Sequence, residues 1–114
     1  MKRIYVAGAL NSDAVGYIRN LHKMISYANI LRKKGYAVFV PGLDFLMGLL
    51  DGNFDYQDYF DNSQPWLAVS DIMFVCPGWE SSAGTLKEIE FAKKIGIPVV
   101  YNDIDLLRDK NKCS

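Results

Sequence analysis

An α/β domain built on a parallel sheet is the fold class this sequence predicts, and three observations predict it. Short apolar runs alternate with helix-period segments along the chain. Each run closes in glycine, proline or small polar residues. A chain of 114 residues, 50% of them hydrophobic, has material for one core and not for two.

The elements follow in order. RIYVAG, residues 3–8, reads as a buried first strand. Residues 15–34 place Ile18, Leu21, Ile25, Ala28 and Leu31 near helical spacing and stop at Gly35, so the spacing predicts a helix with these residues on its core face. YAVFVPG (36–42) and DIMFVCPG (71–78) predict two more strands, each closed by Pro-Gly. IPVVYN (97–102) predicts a fourth, preceded by a helix of about fourteen residues that ends at Gly96. Residues 43–70 are the least regular and suit one or two short helices and a loop over a site, with PWLAVS forming a short helix that starts at Pro65. The tail DLLRDKNKCS is expected to end in a frayed helix. Strands alternating with helices predict right-handed crossovers and helices on both faces. The expected architecture is one domain over residues 1–114, a flavodoxin/Rossmann-like three-layer sandwich with a four- to five-stranded parallel sheet.

Charge narrows the function classes. Thirteen basic residues balance thirteen acidic ones, so no global field recruits nucleic acid or an anionic membrane, and the expected partner is a small molecule. Cys76 and Cys113 have neither the number nor the spacing of a disulfide framework or zinc site, and no metal-ligand spacing occurs elsewhere, so no metal or cofactor is expected. MKRIYVAGAL runs into NSD without a cleavage-like site, and no stretch approaches the ~18 apolar residues of a membrane span. These features imply a cytoplasmic protein with reduced thiols.

In open parallel sheets ligands collect beyond the carboxyl ends of the strands. Those ends read AGALN, PGLD, CPGWESSAG and YND, which concentrates glycine and small polar residues where a ligand would approach. Neither GxGxxG nor GxxxxGK[ST] is present, which excludes the usual dinucleotide and P-loop signatures. The helix after PGWESS carries the sharpest signal. At about 100° per residue, Glu88 shares an arc with Thr85, Ile89, Ala92 and Ile95, while Lys87, Glu90, Lys93 and Lys94 lie opposite. Glu88 is therefore predicted to point inward and Glu90 to water. An inward carboxylate costs several kcal/mol unless paired, whereas a helix N-terminus returns only ~0.3–1 kcal/mol. Two readings remain: a carboxylate at the helix edge that reaches solvent or a basic neighbour, or one at the floor of a ligand cleft beside a helix capped by Ser82 or Ser81. In a cleft it could act as nucleophile towards an electrophilic sugar carbon. Trp79, Trp66, Tyr56, Tyr59 and Phe60 are candidates to stack on a base or to form a subunit contact.

IYVAG, Asn20 and above all SDIMFVCPGWESSAGTLKEIEFAKKIGIPVV resemble the nucleoside 2-deoxyribosyltransferase superfamily, in particular its small phage- and bacterial-type branch. The similarity covers residues 3 to about 101 and is poorest over 43–62. It rests on the order Asp71, strand, Gly78-Trp79-Glu80, Ser82, Gly84, Glu88, Ala92, Gly96, Pro98. The resemblance implies cleavage or transfer at the N-glycosidic bond of a (deoxy)nucleoside or nucleotide, with Glu88 attacking C1′ to form a glycosyl-enzyme. It implies that Ser82 contacts a 5′-hydroxyl or phosphate and that Tyr5, Gly8 and Ala9 line the nucleoside site, with Gly78, Trp79, Glu80 and Gly84 in the adjoining turn. Phosphate-preferring relatives carry a serine and an arginine where this chain has Ala9 and Asn11. The family's leaving-group aspartate, about eight residues before Asp71, falls on Ser63 here. Asp61 and Asp58 are the nearest acids, with Asp61 taken as the general acid, and Asn62 is a candidate base contact. The resemblance also implies a homo-oligomer built on dimers, with residues 54–66 at or near the contact. The competing expectation is a catalytically silent nucleotide-binding protein, a sensor or sponge for a nucleotide signal.

Overall fold

The structure, a computed structural model, describes residues 1–10, 14–44, 47, 50–52, 55–103 and 107. Its sheet is four-stranded and entirely parallel: β1 (Arg3–Ala7), β2 (Ala37–Phe39), β3 (Ile72–Val75) and β4 (Val99–Tyr101), in the order β2-β1-β3-β4. Among the described residues, three α-helices with defined bounds connect them: α1 (Ala14–Lys33), α2 (Tyr56–Ala68) and α3 (Ala83–Lys94). This is a three-layer α/β Rossmann-like fold.

The order follows from handedness. A right-handed crossover from β1 to β2 places α1 on one face, and the reversal from β2 back past β1 to β3 places α2 on the other, where α3 follows. The strands alternate accordingly. Ile4 and Val6 of β1 and Phe74 of β3 join Met24, Ala28 and Leu31 of α1 in one core. Tyr5, Ala7, Met73 and Val75 join Leu67 of α2 and Ile89 and Ala92 of α3 in the second. Pairing of Tyr5 with Met73 and of Ala7 with Val75 keeps each layer in register. Because β1 is followed on one side by β2 and bordered on the other by β3, the chain changes direction at the β1/β3 boundary, and a crevice opens there beyond the carboxyl ends.

Two of the crossover helices, α1 and α3, stop at a left-handed glycine at the amino edge, Gly35 (φ 99°) and Gly96 (φ 84°). The next residues close the turn, Tyr36 N bonding Leu31 O at 3.2 Å and Ile97 N bonding Ala92 O at 2.9 Å. The burial of α1 differs from the expected arc. Twenty residues of helix run about 30 Å, whereas a five-residue strand runs about 17 Å. The second half of α1 packs on the sheet, and the first overhangs the carboxyl edge, leaving Ile18 68% exposed.

Two other expectations are corrected. Pro65 does not start a short helix but lies inside α2, which begins nine residues earlier. A reciprocal cap starts it: Asp58 N donates to Asp55 Oδ1 and Asp55 N to Asp58 Oδ2, both at 2.9 Å. Proline removes one i→i−4 bond, and because both Asp61 and Pro65 face solvent, water can take the carbonyl. Ile95, placed on the inner arc of α3, is exposed because the helix ends at Lys94 and the chain turns away. In the tail Leu107 is buried under the α1 core, and the rest of the expected frayed helix lies outside the described residues.

Candidate active site

At the β1/β3 boundary a cleft of about 240 Å³ opens beyond the carboxyl ends of the strands. Gly8 and Leu10 follow β1 into it, and Pro41 and Gly42 bound it from the turn after β2. The overhanging start of α1 contributes Tyr17 and, one level deeper, Met24. One face of α2 supplies Asp55, Tyr59 and Ser63, spaced i, i+4, i+8, with Phe60 beside them. One face of α3 supplies Ser82, Gly84, Thr85 and Glu88.

Glycine at position 8 is a packing requirement. A Cβ there would lie 3.2 Å from the Cys76 Cβ and 3.4 Å from the Met24 Cγ, so the β1 exit runs close against the β3 exit and a side chain would have to displace its neighbours by a few tenths of an ångström. That close approach keeps the mouth of the cleft open.

The opening of α3 is set by Ser82, whose Oγ accepts from Thr85 N at 3.2 Å and from Thr85 Oγ1 at 3.0 Å. The helix axis then carries Glu88 onto the cleft wall, half-buried, while Glu90 is exposed. The Tyr5 hydroxyl donates a hydrogen bond to Glu88 Oε2. Strand alternation makes this possible, because Tyr5 points to the α2/α3 face, fully buried and against the ring of Phe39 at 5.7 Å. Burial pushes the Glu88 carboxyl up to about 7, and the Tyr5 hydrogen bond pulls in the opposite direction. Near neutrality this carboxyl is therefore poised between a proton carrier and a nucleophile. Across the cleft, burial and the neighbouring Tyr59 push the Tyr17 hydroxyl up to about 12.

The expected site residues divide into two groups. Gly8, Ser82, Gly84 and Glu88 line the cleft, and Tyr5 is hydrogen-bonded to Glu88 beneath it. Ala9 adjoins the lining without joining it. Gly78 adopts φ 93° to turn the chain into the 3-10 turn Trp79–Ser81. Trp79 packs into the α2/α3 core with its ring 5.0 Å from that of Tyr101, and Glu80 is exposed. Asp58 is engaged in capping α2. Asp61 lies exposed on α2, accepting from Gln57 Nε2 at 2.7 Å, and is not on the cleft wall. Asn62 borders a separate open groove with Trp66 and Phe39, and Asn11 lies outside the described residues. On α2 the residues that do face the cleft are Asp55, Tyr59, Phe60 and Ser63. Counting back from Asp71 reaches Ser63, from which the helical period leads to Tyr59 and then Asp55, and Asp55-x-x-Asp58 is a readable capping signal.

Among the described residues no group of three or more His, Cys, Asp or Glu side chains is placed to hold a metal ion, and no helix is long and apolar enough to cross a membrane. Burial pushes the Cys76 thiol up to about 12, which makes it a packing residue rather than a nucleophile. No curated protein matches the chain. A family model described as a domain of unknown function (DUF4406) matches residues 2–101, every described strand and helix included, and the chain belongs to that family.

Proposed function

We infer that this protein breaks or transfers the N-glycosidic bond of a nucleoside or nucleotide, with Glu88 as the nucleophile. The observation that carries the reading is the Glu88 carboxyl on the wall of the carboxyl-edge cleft, steadied by the Tyr5 hydroxyl. The resemblance of residues 70–100 to the nucleoside 2-deoxyribosyltransferase superfamily supports it. In this mechanism Tyr5 holds Oε2 and leaves Oε1 to attack C1′, the C1′–N bond breaks, and a glycosyl ester forms on Glu88. Water or a second base then attacks the same carbon and regenerates the carboxylate. Ser82 and the first amides of α3 suit a sugar hydroxyl. The cleft volume matches a ligand of nucleoside size more closely than a dinucleotide.

A catalytically silent nucleotide-binding protein is the second reading, and one observation favours it: Ser63 stands on the cleft wall where the resemblance leads one to look for a leaving-group acid. Incubation with a panel of deoxynucleosides and their monophosphates separates the two. Release of free base supports the enzyme, and tight binding without release supports the binder. We also place the protein in the cytoplasm as a homo-oligomer built on dimers. The groove beside β2, with Trp66 and Met47 exposed, supports a self-contact there, and a monomer by light scattering at micromolar concentration would rule that out.

A further inference from the structure

The charges around the cleft narrow the substrate. Among the described residues its lining holds two carboxyl groups, Glu88 and Asp55, and no lysine, arginine or histidine. The described residues of the segments that leave the carboxyl ends of the four strands add Asp44, Asp51, Glu80 and Asp103 and no basic residue, and the overhanging half of α1 carries Arg19 and Lys23. A phosphate dianion bound here would meet like charge from the lining side chains, with one cation, Lys23 of α1, close enough to Cys76 to act on its thiol. The α3 N-terminus offers it about half an elementary charge, against the Asp55 carboxylate and a Glu88 that is partly ionised near neutrality.

The same wall offers little to a departing neutral base. Such a base leaves as an anion unless an acid protonates it. Asp61 lies off the cleft, Ser63 bears a hydroxyl, and the Tyr17 hydroxyl holds its proton more tightly than an ordinary tyrosine. A base that is already positive removes the requirement. When Glu88 Oε1 bonds to C1′, the electron pair of the breaking C1′–N bond neutralises the base, which departs without a proton. Water then bonds to C1′, the ester C1′–O bond breaks, and the proton from water passes to solvent. Both steps balance with no further reactant. Tyr59 and Phe60 on α2 supply aromatic surface for such a cation, and Asp55, whose Oδ1 also caps α2, supplies negative charge.

We propose that the cleft takes a nucleoside whose base carries a positive charge and whose 5′-hydroxyl bears no phosphate. This rests on the N-glycosidic reading above and names its substrate class. Four probes, N7-methylguanosine and guanosine each with and without a 5′-phosphate, are used in a ribosyl and a 2′-deoxyribosyl series, close to pH 7, where a fraction of the methylated purine is cationic and a fraction of Glu88 is ionised. Base release by the wild-type protein is divided by the spontaneous rate of each compound, and affinity is measured by calorimetry. Within the sugar series that is used, we expect the enhancement and the affinity to be at least tenfold greater for unphosphorylated N7-methylguanosine than for any of the other three. Equal or better use of guanosine, or of either monophosphate, overturns this proposal and leaves the N-glycosidic reading standing. Tight binding of the cationic nucleoside without base release overturns the catalytic reading while supporting the charge preference. If none of the probes is bound or cleaved, both fall.

Discussion

At the amino edge of the sheet the helices end in Arg32-Lys33-Lys34 and Lys93-Lys94, whereas at the carboxyl edge the strand exits carry aspartate and glutamate and no base. The amino edge is closed. Its glycines lie in helix-terminating turns, Arg3 N bonds Asp71 Oδ2 at 2.7 Å, and Arg3 Nη1 reaches Val69 O at 3.2 Å. The carboxyl edge is open, because Gly8 holds the exits of β1 and β3 together and the overhang of α1 meets α2 only across the cleft. A balanced total charge therefore conceals basic helix ends at one edge and acidic strand exits at the other, with Arg19 and Lys23 on the α1 overhang as cations beside the acidic exits. The basic end complements the helix dipoles and stabilises the fold; the acidic end opposes burial of Glu88 and serves a ligand.

The largest test of this contrast is Glu88→Gln. The amide keeps the shape but cannot form the glycosyl ester, so base release should fall by about three orders of magnitude or more while the fold persists. Full activity in the variant would remove Glu88 from the chemistry and leave only the binding reading. Glu90→Gln, on the outer face of the same helix, should change release less than about twofold.

The second test is thermodynamic. The folded Glu88 carboxyl titrates near 7 and the unfolded one near 4.5, so folding binds the proton more tightly. The stability contribution is complete below about 4.5 and is lost as pH rises through about 7, by up to about 3 kcal/mol. Denaturant midpoints measured at low and at mildly alkaline pH should diverge in the wild type, and Glu88→Gln should remove most of that slope. An unchanged slope would show that Glu88 is not the buried titrating group.

A smaller effect is expected from Gly8→Ala. The new methyl would press on Cys76 Cβ, which is not the free end of a flexible chain, at a cost of about 1–2 kcal/mol in denaturant unfolding. Since Gly8 also lines the cleft, KM should rise. The smallest effect belongs to the amino edge: Lys94→Glu should cost about 0.5 kcal/mol through the α3 dipole and leave base release unchanged. Loss of activity in Lys94→Glu would mean that the two edges are not functionally separate.

Much was legible in the sequence for a local reason. The four strands, the glycine stops at Gly35 and Gly96, the Ser82 cap and the inward arc of Glu88 all depend on residues within one or two turns of each other, where spacing and side-chain chemistry decide the outcome. That the sheet is parallel also followed, because strands alternating with helices are joined by crossover connections. Other features depended on neighbours distant in the chain. Residue count alone does not reveal that α1 outruns the sheet, so Ile18 could be placed in the core and Tyr17 left unremarked. Pro65 signals a helix start in isolation, yet the Asp55–Asp58 cap and the buried Leu67 carry one helix through it. That choice rotates α2 so that Asp55, Tyr59 and Ser63 meet the cleft while Asp61 and Asn62 face away. Sequence by itself determined the layers and the catalytic candidate on α3. Tertiary structure alone decided which residues of α2 face that candidate and that Tyr5 holds it, because such contacts join segments tens of residues apart whose mutual rotation is set by packing rather than by any local period.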